Sequence, residues 1–292
     1  MLSNRVVNFT TGELMKRATK SAFVLLSTLM AATAAMAQAK APEPDYTLSY
    51  NVGVVSDYRF RGIRQTSGKP AVQGGVDFAH KSGFYLGAWG SNVKWVKEVN
   101  GATKGSYEVD LYGGYKGAIT PSLNYDLGII TYQYPGNNSG VANATYTNAV
   151  AAGAYGNAST TEYYGALTYG VATLKYSRSA GRFLGNLNSS GSSYLDLSAN
   201  FDLGNGFTLT PHLGHQRVRN QNNTNAITGE VKTGNAANYT DYALTLAKDL
   251  GNGLTVSATA MDTNAKKGGF YTDLKNKFIA DSAFVVGLKY TF

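Results

Sequence analysis

Apolar and polar residues alternate along most of this chain, from Tyr46 to the C-terminal Phe292. A period of two residues is typical of a β-strand with one apolar face, and about nine to eleven residues suffice for a tilted strand to cross a bilayer. No domain-sized stretch shows the 3.6-residue apolar period of a helix, so the pattern predicts an all-β fold. In the first segment the apolar face comprises Tyr46, Leu48, Tyr50, Val52 and Val54, and the polar face comprises Thr47, Ser49, Asn51 and Gly53.

The alternating segments number about twelve, and two kinds of connection join them. After every second segment the connection is short, and two of these contain the hairpin-forming pairs Asn205-Gly206 and Asn252-Gly253. After the other segments the connection is long and polar. The predicted strands are residues 46–56, 70–79, 84–93, 106–116, 122–133, 161–169, 171–179, 193–202, 207–216, 239–249, 254–263 and 281–292, and the long connections are residues 57–69, 94–105, 134–160, 180–192, 217–238 and 264–280.

Short turns at one end and long loops at the other are typical of outer-membrane barrels. We therefore predict a transmembrane, antiparallel, up-and-down β-barrel of about 12 strands, with both termini at the short-turn, periplasmic end. A soluble β-sandwich or lipocalin-like barrel would show the same alternation with its apolar face inside. The alternation alone does not separate these two folds, but the asymmetry of the connections and the terminal Phe292 favour the membrane barrel.

The N-terminal segment has the features of an export signal. Lys16, Arg17 and Lys20 precede a short apolar stretch, residues 22–35, and Ala35-Met36-Ala37 follows as a small-x-small cleavage motif. The alternative is an N-terminal helix of the mature protein. We expect residues 1–37 to be an extension plus a signal peptide cleaved after Ala37, with translation starting at Met1 or Met15, and residues 38–292 to form a single outer-membrane β-barrel domain.

Composition narrows the class further. The chain has 34 Gly, 21 Tyr and no Cys, and its mean hydropathy of −0.21 is too low for a bundle of membrane helices. An apolar content of 43% argues against disorder, and the lack of Cys rules out a disulfide scaffold. Removing a leader with four basic residues and one acidic residue lowers the net charge from +8 to +5. An exported chain without Cys suits a bacterial envelope compartment.

Aromatic residues cluster near both ends of the predicted strands, which predicts two interfacial girdles. The chain also ends in Phe292, with Tyr290 and Gly287 before it, and this ending resembles the C-terminal signal that the barrel-assembly machinery recognises, although Val285 departs from the pattern. The predicted girdles comprise Tyr46, Phe78, Phe84, Tyr115, Tyr125, Phe201 and Phe207 toward the turns, and Tyr58, Tyr107, Tyr132, Tyr134, Tyr163, Tyr176 and Tyr242 toward the loops.

The first predicted hairpin carries the most specific motif of the chain. It reads Val55-Ser56-Asp57-Tyr58-Arg59-Phe60-Arg61-Gly62-Ile63, followed by Lys69-Pro70-Ala71-Val72-Gln73-Gly74-Gly75 and by Gly83-Phe84-Tyr85 with Trp89. Weaker matches continue through residues 108–115, 132–136 and 162–165 to the last strand. With these motifs the chain resembles the TorF-family porins, also described as Gcw_chp-type bacterial outer-membrane proteins. The resemblance implies an outer-membrane barrel, while loops 137–160 and 217–238 are longer or richer in Asn and Ala than the pattern.

Charged residues fall into two predicted groups, one on the polar face and one at the loop ends. The first group would line a pore, and the second would form a basic rim above it, so that the two act together as an electrostatic filter. Alternatively the charges form a solvated rim and internal salt bridges that plug a small barrel, or the rim binds lipopolysaccharide phosphates. The predicted pore-lining residues are Asp77, Glu108, Asp110, Asp126, Glu162, Lys175, Asp196, Asp241 and Lys289, and the predicted rim residues are Arg59, Arg61, Arg64, Arg178 and Arg217.

Little in the sequence indicates catalysis. His212 and His215, the only close pair of histidines, are three residues apart on a predicted strand and would face opposite sides, so we expect no metal site. We predict no enzyme activity, no cofactor and no nucleic-acid partner. The favoured function is an outer-membrane porin for passive diffusion of small polar or ionic solutes. The alternative is a closed structural barrel whose extracellular loops bind a partner or lipopolysaccharide. The expected partners are outer-membrane lipid, lipopolysaccharide and the assembly machinery.

Overall fold

The computed structural model describes residues 44–141, 150–224, 231–232, 234–268 and 270–292. The predicted signal peptide, residues 1–37, and parts of loops 137–160 and 217–238 lie outside the described residues. Asp45–Phe292 forms one compact unit. Its long strands are β1 (Tyr46–Val55), β2 (Ala71–His80), β3 (Phe84–Asn92), β4 (Tyr107–Thr120), β5 (Leu123–Gln133), β6 (Thr160–Tyr169), β7 (Ala172–Ser179), β8 (Ser193–Ala199, continued by Phe201–Gly204), β9 (Phe207–Arg217), β10 (Tyr239–Asp249), β11 (Leu254–Thr263) and β12 (Ala283–Thr291).

These strands form a closed antiparallel barrel. Each strand pairs with the next along the chain, and β1 pairs with β12 to close the ring, with Val52 opposite Tyr290. The predicted twelve-stranded up-and-down barrel is therefore confirmed. The ends of the barrel differ as predicted, and we call them the turn end and the loop end.

Two strand boundaries differ from the prediction. β4 extends to Thr120 instead of residue 116, because Gly117 and Ala118 still pair with Tyr125 and Asn124 before the register shifts. β8 is interrupted at Asn200 without a change of register, and its register shifts once, between Asp202 and Gly204. At the Asn205-Gly206 turn both residues have positive φ, 50° and 75°, as a type I′ hairpin requires.

Short elements occur within the long loops. A small hairpin, Arg59–Phe60 with Ile63–Arg64, forms in the first loop, residues 57–69, and the helix α1 (Trp95–Glu98) forms in the next. Asn223–Thr224 pairs with Val231–Lys232 in a further hairpin. Within the described part of the chain, no helix combines the length and the apolar character that crossing a membrane would require.

The outer face of the barrel is apolar. Leucines on this face, such as Leu86, Leu111 and Leu127, are 51–58% exposed. At the turn end Phe78 stacks on Tyr46, with ring centroids 5.6 Å apart, and also contacts Phe84. At the loop end four tyrosines on this face are 45–65% exposed, namely Tyr107, Tyr163, Tyr176 and Tyr242. A large contiguous apolar surface of this kind marks an interface with lipid or with another protein.

Three tyrosines predicted for the loop-end girdle lie elsewhere. Tyr132 and Tyr134 are 7% and 3% exposed, and Tyr58 packs beside them. They point inward because they belong to a buried apolar layer at the loop end, which we call the loop layer. Its fully buried members are Ile63, Val93, Trp95, Val96, Ala102, Tyr132, Tyr134, Ala158, Phe183, Val218, Ala237, Tyr239, Ile279 and Ala280.

Candidate functional site in the barrel lumen

The inner wall repeats one arrangement of tyrosine, glycine and carboxylate across adjacent strands. A tyrosine ring lies over a glycine of the next strand, and its hydroxyl donates to an aspartate one strand further on. Tyr85 of β3 crosses Gly114 of β4 and donates to Asp126 of β5 over 2.5 Å. In the other two copies Tyr112 of β4 crosses Gly87 to reach Asp77 of β2, and Tyr194 of β8 crosses Gly214 to reach Asp241 of β10.

The glycine is essential to this arrangement because a Cβ atom at its position would overlap the tyrosine ring. Hydrogen bonds to a charged acceptor are stronger than neutral ones, so each copy ties three strands together across the wall. These contacts give three of the tyrosines and three of the glycines a structural role. No role was predicted from the sequence for Tyr85, Tyr112 and Tyr194, and the pairs were missed.

The first loop turns back into the barrel instead of extending outward. Its hairpin has Arg61 and Gly62 at the tip, with φ of 50° and 79°, the geometry of a type I′ turn. An arginine in this left-handed region costs about 1–2 kcal/mol. Such strain persists only where surrounding contacts enforce it.

Arg61 makes those contacts inside the lumen. Its guanidinium forms two hydrogen bonds with the Glu162 carboxylate of β6, at 2.6 and 3.2 Å, and donates to Gln216 Oε1 of β9 over 2.7 Å. It also lies 4.2 Å from the ring centroid of Tyr194, and the Arg61 carbonyl accepts from Tyr239. Burial disfavours the charged guanidinium, but Glu162 more than compensates and raises the pKa of Arg61 above its ordinary value.

These contacts reach strands on several sides of the barrel, so the hairpin lies across the lumen at the loop end. Its neighbour Arg59 is also buried, with a side chain 2% exposed, and it donates to Asp57 over 2.8 Å. Arg64 forms a bidentate pair with Asp281, at 2.7 and 2.9 Å. The prediction that Arg59, Arg61 and Arg64 form a basic rim was therefore wrong, because each is paired with a carboxylate, from a loop for Arg59 and Arg64 and from strand β6 for Arg61.

Below the hairpin, His212 lies between two carboxylates. Its Nδ1 is 3.2 Å from Asp196 Oδ2, its Nε2 is 2.8 Å from Asp241 Oδ2, and the Tyr194 hydroxyl is 3.1 Å from Nε2. His215 lies on the outer face, as the strand periodicity predicts. Among the described residues no group of three or more His, Cys, Asp or Glu side chains is arranged to hold a metal ion.

Glu108 and Asp110 lie beside the loop layer, 2% and 6% exposed. One oxygen of each, Glu108 Oε2 and Asp110 Oδ1, is buried without a hydrogen-bond partner among the described residues. Burial, together with the nearby Glu108 carboxylate, raises the pKa of Tyr58 and Tyr134 well above the ordinary value. Both phenols therefore remain protonated.

The turn-side half of the lumen is more open. A cavity of about 370 Å³ is lined by Asn51, Gln73, Asp77 and Lys289, among others. A second cavity, of about 220 Å³, lies nearer the loop end, between His212 and the hairpin that carries Arg61. Lys116, Lys175 and Lys289 face the turn-side half, and none of them takes part in the ion pairs found in the described part of the chain.

All nine residues predicted to line a pore lie on the inner face, but they occupy two environments. Glu108, Asp110, Glu162 and Asp241 are buried at the loop end. The others, Asp77, Asp126, Lys175, Asp196 and Lys289, lie nearer the cavities. The predicted rim residues Arg178 and Arg217 are exposed on the outer face.

Residues 38–292 match the profile of a family described as "Bacterial protein of unknown function (Gcw_chp)". The chain belongs to the Gcw_chp family. No curated protein matches it.

Among solved structures, this Gcw_chp protein is similar to the KdgM porin in complex with disordered oligogalacturonate, with a TM-score of 0.48, 8% identity and coverage of 84% of this chain and 98% of that chain. It is also similar to the NanC porin, with a TM-score of 0.48, 10% identity and coverage of 84% and 99%. A third similar structure is a mutant of TodX, a monoaromatic hydrocarbon channel, with a TM-score of 0.44, 10% identity and coverage of 85% and 90%.

Proposed function

We propose that this protein is an outer-membrane porin with a narrow lumen for small polar or ionic solutes, restricted at the loop end by the inserted first loop. The outer-membrane location is supported by the closed ring of strands and the apolar outer band, because a closed barrel leaves no unpaired strand edge in lipid. Short turns then face the periplasm and long loops face outward.

The observation that carries the transport proposal is the open, charged space in the lumen around Lys289. A barrel that served only as a scaffold could fill this space with apolar side chains or closed ion pairs. Here Lys289 is exposed to a cavity of about 370 Å³ and has no carboxylate within ion-pair distance among the described residues. Charges of this kind line solute pathways in barrels and tune their selectivity.

The loop end sets the restriction. The Arg61 hairpin and the loop layer cross the lumen, so a solute passes where this hairpin leaves room or moves aside. In this proposal the selective step lies at the extracellular mouth, and the periplasmic half is the more open part of the path. The electrostatic filter predicted from sequence is thereby revised, because its basic mouth is neutralised by Glu162, Asp57 and Asp281.

The test is single-channel recording from the refolded mature protein in planar bilayers. We expect small, discrete conductance steps. Charge reversal by Lys289→Glu should shift the reversal potential under a salt gradient toward cation preference, while Lys104→Glu, at an exposed loop position, should shift it much less.

Two results would contradict the transport proposal. The first is a complete lack of steps from protein that shows heat-modifiable gel mobility, and the second is an identical reversal potential for wild type and Lys289→Glu. The first result would favour the alternative function, a closed barrel that binds a partner through its loops. That function also predicts loss of partner binding when protease removes the loops and leaves the barrel intact.

A further inference from the structure

The outer face of the barrel carries a cluster of arginines at its loop end. Arg178 of β7 and Arg217 of β9 both point outward, and both are directly opposite Ser193 of the strand between them. Arg219 is exposed just beyond the end of β9. We call these three residues the arginine patch.

Two of the guanidinium groups converge above Gly191. A Cβ atom at Gly191 would lie 2.9 Å from Arg219 Nη1 and 3.1 Å from Arg178 Nη2, so these two nitrogens are at most about 6 Å apart. The glycine, with φ of 79°, leaves the space between them free of a side chain. An oxyanion in that space would be within reach of both donors.

Among the described residues, the arginine patch has no acidic partner. The ion pairs in the described residues include Arg59, Arg61 and Arg64, but none of the three patch arginines. Arg219 donates to the Ser190 carbonyl over 3.2 Å, which satisfies one N–H, and no carboxylate of the described residues pairs with its charge. Like charges this close repel each other, so an anion between them is stabilising.

The surface below the arginine patch is apolar and faces the same way. Tyr176 and Leu174 follow Arg178 toward the middle of β7, 45% and 47% exposed, and Leu195 and Leu213 continue this surface on β8 and β9. Arg178 lies four positions after Leu174 on the same strand, which is a distance of about 13 Å along the strand. The patch therefore lies above a surface suited to acyl chains, as the headgroup of an amphiphile requires.

We propose that the arginine patch binds the phosphate groups of a phosphorylated glycolipid in the outer leaflet. This proposal rests on the outer-membrane location proposed above and is independent of conduction. The acyl chains of the bound lipid cover Leu174, Leu195 and Leu213, and the phosphates lie between Arg178 and Arg219 with Arg217 beside them.

The test is native mass spectrometry of the folded, detergent-solubilised barrel with bisphosphorylated lipid A as the probe. We expect one tightly bound lipid A per barrel in wild type. The double variant Arg178→Gln/Arg219→Gln should bind about tenfold more weakly or worse, because it removes charge-assisted contacts to phosphate. Lys104→Gln, which removes a loop-side charge outside the arginine patch, should bind as wild type does.

Two further arms identify the source of the phosphate. Dephosphorylated lipid A should bind wild type as weakly as the double variant binds the intact lipid. Millimolar inorganic pyrophosphate should displace little of the intact lipid A from wild type. Equal binding of intact lipid A by wild type and the double variant would overturn the proposal, as would binding of pyrophosphate in preference to the lipid. Because every variant is first checked for heat-modifiable mobility and insertion into vesicles, failure of the barrel to insert would count against the membrane location and not against the arginine patch.

Discussion

At the scale of single residues, Glu98 shows how the loop end is held together. Its side chain is buried, and it accepts hydrogen bonds from Lys275 Nζ, at 2.6 Å, and from Ser67 Oγ. It thereby joins α1 to the first and last long loops. Burial alone would raise the pKa of Glu98, but the hydrogen bonds from Lys275 and Ser67 outweigh it and lower the pKa below its ordinary value.

This direction predicts how the loops respond to acid. A carboxyl whose folded-state pKa is lowered stabilises the fold above its unfolded pKa, and that contribution is lost as pH falls through the folded value. Acidification from about pH 5 to pH 3 should therefore lower the protection of the amides of residues 94–105 and 264–280 against hydrogen exchange, measured relative to the intrinsic exchange rate at each pH. Glu98→Gln should exchange faster than wild type at pH 7 and should show a smaller change on acidification. Equal pH dependence in the two proteins would show that other carboxylates control the loops.

Single residues also show which positions could be predicted from the sequence and which could not. Alternation placed every predicted lumen residue on the inner face, because the side of a strand follows from the parity of the position alone. The same rule says nothing about Arg61, which lies in a loop. Its partner Glu162 is 101 residues away, and only the closed barrel brings the two together.

At the scale of secondary-structure elements, the crossing of tyrosine over glycine determines which strands tolerate substitution. Gly214→Ala would push the Tyr194 ring away from Asp241 and His212, and overpacking of this kind costs about 1–3 kcal/mol. Chemical unfolding in detergent micelles, followed by tryptophan fluorescence, should show that loss of stability.

The matched control is Gly165→Ala on the outer face. There a Cβ atom would meet only the end of the Leu127 side chain, 3.2 Å away, which can move aside. The free energy of unfolding should change much less than for Gly214→Ala. Similar losses for both variants would indicate that the backbone freedom of glycine, and not the tyrosine ring, is what matters.

The elements were predictable to different degrees. Strands and short turns follow from local patterns, so eleven of the twelve strands form as uninterrupted segments near the predicted bounds. The break in β8 at Asn200 and the extension of β4 past Gly117 depend on pairing with neighbours. Local sequence does not encode these features, because register in a barrel is set jointly by all strands.

At the scale of the whole molecule, the barrel is divided into two halves with different chemistry. The turn-side half is more open and carries lysines that take part in no ion pair among the described residues, while the loop-side half is closed by apolar packing and paired charges. Of the explanations of the charges that the sequence left open, internal salt bridges that plug the barrel therefore describe the loop-side half. Sequence alone could not show this division, because it arises from contacts among loops that lie far apart along the chain.

This division predicts that weakening one contact should widen the path. Arg61→Ala removes the guanidinium from Glu162 and leaves a buried carboxylate without its partner, a change that typically costs about 3–5 kcal/mol. The hairpin should then leave the lumen more often. Single-channel conductance should rise severalfold, or the channel should stay open longer.

Arg61→Lys, which keeps the charge but loses the two parallel hydrogen bonds, should give an intermediate effect. Lys104→Ala should conduct as wild type does. If Arg61→Ala folds with normal heat-modifiable mobility and its conductance matches that of wild type, the hairpin does not restrict the pore and the limiting region lies elsewhere in the barrel.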